Sequence, residues 1–143
     1  MDHVAIMNRQ AGLIDHILSG QKTIETRWYQ NRITPYGRIA MGDIIYFKNS
    51  GGLIRAKALV SQVSQYAQLT IDKCQQIIDQ YGAPGLIDIQ NSRAASWAAG
   101  KNYAILIWLK DPVAIIPFNI DKRGFGSSAA WLTLPNIDTI KKS

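Results

Sequence analysis

Residues 20–27 read Gly-Gln-Lys-Thr-Ile-Glu-Thr-Arg and join a predicted helix to a predicted strand. Before this stretch, leucine and isoleucine recur at helical spacing and predict a helix over residues 9–19, with Gly20 as its C-terminal cap. After Gly20, threonine, isoleucine and tryptophan favour a strand from Lys22 to Trp28. The stretch is therefore a helix–turn–strand junction that carries three charged side chains.

Glu25 is the only glutamate of the protein, and it stands between two cations. In a regular strand Glu25 and Arg27 share one face and can pair, whereas Lys22 joins them only if the backbone turns before the strand. The simplest interpretation is a solvated ion pair, which contributes roughly 0 to 1 kcal/mol. The other interpretation is a functional cluster.

The middle of the chain predicts a β-hairpin followed by a helix. Strands are predicted at 44–48 and 53–63 with a glycine-rich turn between them, and a helix is predicted at 70–81. In the second strand, Arg55 and Lys57 alternate with small apolar residues and are expected to face outward. The helix has Thr70 as its N-cap and carries the single cysteine, Cys74, on its apolar face.

The second half of the chain predicts further strands. Residues 103–109 and 113–120 resemble buried strands split by Asp111-Pro112, and residues 131–134 a last short strand. A shorter helix is expected at 86–99 and a long loop at 29–41. Mixed antiparallel strands with two or three helices indicate an α+β fold and allow a small closed β-barrel, in one domain that covers residues 1–143.

Composition narrows the class of protein. The chain has 143 residues, 47% hydrophobic residues and a net charge of +6, which is typical of a small globular domain with a surface that attracts polyanions. The longest apolar runs fall well short of the roughly 20 residues that span a bilayer, and residues 1–10 lack a secretory signal, so we expect a cytoplasmic protein without a membrane partner. The two histidines and one cysteine show no metal-ligand spacing, and no phosphate-binding loop occurs. We therefore expect no metal and no cofactor.

A wider pattern connects the junction to a known family. A glycine, one residue, Lys-Thr, one residue, Glu, one residue and Arg, followed by Gly-Asp and a strand, resembles the ASCH domains of the PUA-like superfamily over residues 13–47. The resemblance implies a β-barrel flanked by helices, with the motif lining a cleft. It also implies RNA or a nucleoside as the partner, because ASCH proteins include RNA-binding domains, amidohydrolases that act on N4-acetylcytidine, and ribonucleases.

The resemblance to the amidohydrolase branch is incomplete. Where that branch has a nucleophilic threonine, this chain has Glu25, and no second glutamate exists for the distant catalytic role. An enzyme of this type would have to use Lys22 as the base for Thr26 or Thr23. A regular strand places Thr26 on the side of Lys22, so Thr26 is the better of the two. The potential catalytic residues are thus Lys22, Glu25 and Thr26.

A metal-independent ribonuclease is another alternative, with Lys22, Arg27 and a tyrosine such as Tyr29 or Tyr36. We favour a binding module, because binding needs only charge and shape whereas catalysis needs a group with a shifted pKa. The residues 122–126, Lys-Arg-Gly-Phe-Gly, resemble a clamp for a nucleic-acid backbone, or else form a simple basic turn. The predicted ligand-contacting or RNA-contacting residues are Lys22, Thr23, Glu25, Arg27, Trp28, Arg55, Lys57, Lys122 and Arg123.

Overall fold

The computed structural model describes residues 1–9, 12–82, 100–126 and 129–142. The predicted helix at 86–99 lies outside the described residues. The elements, in chain order, are β1 (Asp2–Met7), α1 (Leu13–Ser19), β2 (Ile24–Tyr29), β3 (Ile44–Asn49), β4 (Ile54–Tyr66), α2 (Ile71–Tyr81), β5 (Tyr103–Phe118), β6 (Trp131–Leu134) and a 3-10 helix (Ile137–Ile140).

The six strands form one mixed sheet in the order β2-β5-β4-β3-β1-β6. β1 and β3 pair in parallel, and the other neighbouring strands pair antiparallel. The sheet curls into a half-barrel flanked by α1 and α2, which confirms the predicted α+β, PUA-like class. The strands β2 and β6 are its two edges, so no ladder of main-chain hydrogen bonds closes the barrel between them in the described part of the chain.

The two helices follow their sequence signals to different extents. α2 begins after Thr70, whose side chain accepts a hydrogen bond from the Lys73 N–H, as predicted. α1 ends at Gly20 as predicted, but it begins at Leu13 rather than at residue 9. The backbone of Gly12 has a φ of 63°, which a right-handed helix does not permit, so the helix cannot extend through this residue.

One strand replaces the two that Asp111-Pro112 was expected to separate. β5 runs through this dipeptide and pairs with β4 on both sides of it, with Lys110 opposite Leu59 and Val113 opposite Lys57. A bulge accommodates the extra residue, because Asp111 adopts a φ of 52° and Pro112 has no N–H to leave unpaired. The second half of β5 was expected to be buried, and this was wrong.

The curled sheet buries side chains on both of its faces. Inside the half-barrel, Phe47 and Ile107 pack against Ile14 and Ile17 of α1. On the outer face α2 covers the end of β2, and its buried Cys74 lies there as predicted. A third cluster surrounds β6 and the 3-10 helix.

Candidate functional site

Lys22, Glu25 and Arg27 form one buried ion-pair cluster. The Lys22 ammonium lies 3.6 Å from Oε2 of Glu25, and Arg27 Nε donates a hydrogen bond of 3.1 Å to Oε1. The Lys22 and Glu25 side chains are 4% and 5% exposed, and that of Arg27 13%. A solvated ion pair on a strand face is therefore excluded, and the tertiary structure brings the three predicted residues together.

The turn after α1 explains how Lys22 reaches the cluster. Gly20 adopts the left-handed conformation that ends the helix, and the Lys22 N–H donates to the carbonyl of His16. Lys22 therefore precedes the regular strand, and its ammonium donates a 2.8 Å hydrogen bond to the carbonyl of Ile24. This is the backbone turn that the sequence required for Lys22 to join Glu25.

Arg27 also spans the open side of the half-barrel. From the edge strand β2, its guanidinium reaches the carbonyl of Ile6 in β1 at 3.5 Å and the carbonyl of Ala130 before β6 at 3.4 Å. The guanidinium carbon lies 5.0 Å from the centre of the Trp131 ring, within cation–π distance. One side chain thus connects the two edges that no strand pairing joins.

A pocket of about 560 Å³ lies in this gap between the edges. Tyr29, Phe125 and Trp131 form aromatic parts of its wall, and Ala130 and Gly126 provide backbone surface. Its volume is within the range of small-molecule sites. Arg27 adjoins the pocket through its contacts with Ala130 and Trp131.

The charges of the cluster do not cancel. Glu25 is a single carboxylate between two cations, and its Oε2 atom is buried with no hydrogen-bond partner within the described residues. Burial raises the pKa of Tyr29, although the positive charge of the neighbouring Arg27 opposes this rise. The neutral Tyr29 and the net positive charge of the cluster therefore lie near Glu25 Oε2, and this oxygen can accept a further hydrogen bond.

Several predicted site residues lie away from this cluster. Ile24 and Trp28 pack on the outer face of β2 against α2, and Thr26 shares that face by strand alternation. The Lys22 ammonium is on the opposite face with Glu25, so the strand does not place Thr26 beside it. Trp131, a member of the core cluster inside the half-barrel, also borders the pocket, whereas Trp28 does not line it.

The remaining predicted residues are dispersed. Thr23 lies next to the cluster, where its carbonyl accepts from the Leu109 N–H. Arg55 faces outward as expected and pairs with Asp15 of α1 at 2.9 Å. Lys57, half-buried, lies on the same face of β4 as Arg55.

Tyr36, the other tyrosine of the ribonuclease alternative, packs edge-to-face on Tyr103 and beneath Arg32.

The basic turn predicted at residues 122–126 is present and separates two pockets. Phe125 and Gly126 line the aromatic pocket, whereas Lys122, Arg123 and Gly124 line another. The exposed Arg123 forms hydrogen bonds to the carboxylate of Asp121, which hold the pKa of that carboxyl at about 2.

Sequence reasoning missed a buried polar chain behind Trp131. The Trp131 Nε1–H donates to Nδ1 of His3 at 3.1 Å, and Nε2 of the fully buried His3 lies 2.8 Å from Oδ2 of Asp43. Because an indole nitrogen only donates, Nδ1 accepts and the proton is on Nε2. Burial lowers the pKa of His3, although the hydrogen bond that its Nε2–H donates to Asp43 opposes this effect. No sequence signal links these residues, which are 40 and 128 positions apart.

The described residues contain neither a metal-binding group nor a membrane-spanning helix. These residues contain no group of three or more His, Cys, Asp or Glu side chains that could hold a metal ion. Neither helix of the described ranges is long and apolar enough to cross a membrane.

Comparison with known proteins identifies the fold. No protein-family model matches the chain, and no curated protein matches it. The chain is similar to the crystal structure of ASCH from Zymomonas mobilis, with a TM-score of 0.67 and 19% identity, over 96% of this chain and 90% of that chain. Two mutant forms of the same protein give TM-scores of 0.68 at 19% and 20% identity, over 96% of this chain and 93% and 91% of theirs. The chain therefore has the ASCH fold, a small PUA-like α+β fold.

Proposed function

We propose that this domain binds RNA or a modified nucleoside, with one base in the aromatic pocket between the two sheet edges. The observation that carries the proposal is the position of this pocket beside Arg27, which stacks on the Trp131 wall and is held by Glu25. Single-stranded bases are recognised by aromatic stacking together with hydrogen bonds to their edges. The site offers both kinds of contact.

The charged groups have complementary roles in this proposal. Arg27 provides positive charge at the pocket wall for a phosphate or a base carbonyl. Glu25 Oε2 lacks a hydrogen-bond donor in the described structure and can accept from an exocyclic amine of cytosine or adenine. Because Glu25 is buried, small side-chain motions are needed before the base amine can reach its carboxylate. The net charge of +6 attracts the nucleic acid from solution.

Glu25→Gln is expected to weaken binding of hexacytidylate by about 1 to 3 kcal/mol, because a buried acceptor for the exocyclic amine is lost. Binding of hexauridylate, whose base has no exocyclic amine, is expected to weaken much less. Affinities are measured by fluorescence anisotropy at one fixed salt concentration, with circular dichroism to check folding. Asp111→Asn is the matched control, since it removes one exposed carboxylate from a position whose left-handed backbone asparagine also tolerates.

Equal losses for the two oligonucleotides would mean that Glu25 only positions Arg27 and does not read the base. Absence of binding by the wild type to either oligonucleotide, and to cytidine or N4-acetylcytidine, would refute the proposed function.

Purified protein is expected to leave both N4-acetylcytidine and an oligoribonucleotide intact. Thr26 and the Lys22 ammonium lie on opposite faces of β2, and the raised pKa of Tyr29 makes its hydroxyl a poor base at neutral pH. Acetate release and RNA fragments are followed by chromatography. Acetate release that Lys22→Ala abolishes would replace binding by amidohydrolysis as the function, and cleavage that Tyr29→Phe abolishes would indicate a ribonuclease.

A further inference from the structure

Lys48 is a mostly buried lysine with no partner among the described residues. Its side chain, on β3, belongs to a residue that is 7% exposed, and it makes no hydrogen bond or ion pair with any described residue. Burial and the nearby Lys122 lower the pKa of Lys48. The ammonium keeps some contact with solvent at the pocket, but a mostly buried position without an opposite charge still disfavours its charged form. The fold therefore maintains an uncompensated charge at this position.

Lys48 lines a pocket of about 520 Å³ whose walls are strongly basic. Lys122, Arg123 and Lys142 also line it, and Asp121 is the one carboxylate of the described lining. Four cations and one carboxylate leave an excess of three positive charges. Asp121 is already engaged, because both of its carboxylate oxygens accept hydrogen bonds from Arg123. The pocket thus combines an unpaired ammonium with an open, positively charged mouth.

Main-chain hydrogen bonds fix the walls of this pocket. The Asp121 N–H donates to the carbonyl of Ile140 at 2.7 Å, and the Lys142 N–H donates to the carbonyl of Asn119 at 2.8 Å. These bonds join the segment after β5 to the end of the 3-10 helix and the residues that follow it. Lys122, Arg123 and Lys142 therefore lie on the side of the pocket that these hydrogen-bonded segments form. Lys48 lies on the other side, on β3.

We propose that this basic pocket binds a phosphate group, namely a backbone phosphodiester of the strand whose base occupies the aromatic pocket. The assignment to a strand rests on the proposed function, whereas the anion site itself does not. Gly126 lines both pockets, so the two pockets adjoin. The RNA strand passes from one pocket to the other over residues 124–126. Gly124 has no atom within 4 Å of where a Cβ would be, so a strand can approach its backbone closely.

Phosphate suits this pocket better than a carboxylate. Its tetrahedral oxygens accept hydrogen bonds from several directions, and lysine and arginine around the pocket supply donors from different walls. A bound phosphate also compensates the Lys48 charge, which no described protein group does. The unfavourable burial of Lys48 in the free protein is thereby explained as part of a binding site.

The test compares Lys48→Met with Lys110→Met. Methionine keeps the length of the side chain and removes its charge, and Lys110 is an exposed lysine of β5 outside the pocket lining. Pyrophosphate is titrated into each protein and the backbone amide shifts of residues 120–126 are followed by NMR. We expect wild-type pyrophosphate affinity to fall at least tenfold in Lys48→Met and less than twofold in Lys110→Met.

A stability measurement separates a binding role from a structural one. Because Lys48→Met removes an uncompensated buried charge, we expect its Tm to rise by about 2 to 4 °C in the absence of anion. A lower Tm would show that Lys48 stabilises the fold, and would overturn the proposal. The proposal would also be overturned if the wild type did not bind pyrophosphate, or if Lys48→Met and Lys110→Met lowered the pyrophosphate affinity equally.

Hexauridylate identifies the source of the phosphate. If one RNA strand occupies both pockets, Lys48→Met lowers the affinity for hexauridylate as well as the affinity for pyrophosphate. Loss of pyrophosphate binding alone would assign the pocket to a free phosphate group and overturn the strand assignment. Glu25→Gln provides the independent check, since it acts on the aromatic pocket and is expected to leave pyrophosphate affinity unchanged. A failure of the proposed function is thereby distinguished from a failure of the anion site.

Discussion

Replacing Arg27 by methionine is expected to lower the free energy of unfolding by about 3 to 5 kcal/mol. The substitution deprives the buried Glu25 carboxylate of its 3.1 Å hydrogen bond and leaves it with Lys22 at 3.6 Å. It also removes the side chain that reaches Ile6 and Ala130 across the open side of the half-barrel. Breaking one member of a buried pair is costly because the other charge stays buried.

Equilibrium unfolding in urea measures this effect. Arg55→Met is the matched control, since Arg55 is also a strand arginine paired with a carboxylate, but the pair is exposed and contributes about 0 to 1 kcal/mol. The double variant Glu25→Gln, Arg27→Met is expected to be more stable than the sum of the single changes implies, because the Glu25–Arg27 interaction that each single change removes is lost only once. Equal losses for Arg27→Met and Arg55→Met would contradict the closing role of Arg27.

His3→Leu is expected to destabilise the protein by about 3 kcal/mol at pH 7.5. It leaves the Trp131 N–H without its acceptor and the Asp43 carboxylate without the His3 donor at 2.8 Å, and an unsatisfied buried group costs about 1 to 3 kcal/mol. Thr133→Val is a control of similar location, because the Thr133 hydroxyl lies 3.0 Å from Nδ1 of His3 but the Trp131 donor remains. A loss in His3→Leu no larger than that in Thr133→Val would contradict the network.

The same histidine gives the stability a pH dependence. Burial places the folded-state pKa of His3 below its ordinary value of 6.5, so the unfolded chain binds the proton more strongly than the folded protein does. The stability that this difference provides is complete above pH 6.5 and is lost as the pH falls through the folded-state pKa. Burial alone would raise the pKa of Asp43, but the hydrogen bonds from His3, the Ala40 N–H and the N-terminal ammonium together lower it, so the contribution of Asp43 to stability is lost only at more acidic pH. The Tm of the wild type should therefore start to fall near pH 6.5, and His3→Leu should lack this first decrease.

Local patterns were sufficient where the structure depends on neighbouring residues. Thr70 caps α2 because its hydroxyl reaches an N–H three positions away, and Gly20 ends α1 because it tolerates a positive φ. The motif around Lys22 and Glu25 predicted the ASCH fold that the comparisons confirm. The sequence also predicted that Glu25 and Arg27 would pair, since strand alternation places them on one face.

The sequence failed where a distant segment changes a local preference. Asp111-Pro112 has the composition of a strand break, yet β4 pairs on both sides of it and the dipeptide becomes a bulge within β5. Trp28 was expected at the cleft because it follows Arg27, but it lies on the face of β2 that α2 covers. These outcomes depend on what packs against each face, which short-range periodicity does not specify.

The sequence by itself determined the C-terminal end of α1, the start of α2, the hairpin of β3 and β4, the basic character and the ion-pairing motif, because all of these depend on residues close together in the chain. Only the tertiary structure decided that the motif is buried, that Arg27 connects two unpaired sheet edges, and that Trp131 forms the pocket wall between them. It also decided that Lys48 is a buried charge beside Lys122. The curvature of the sheet, which no local pattern encodes, brings these distant residues together.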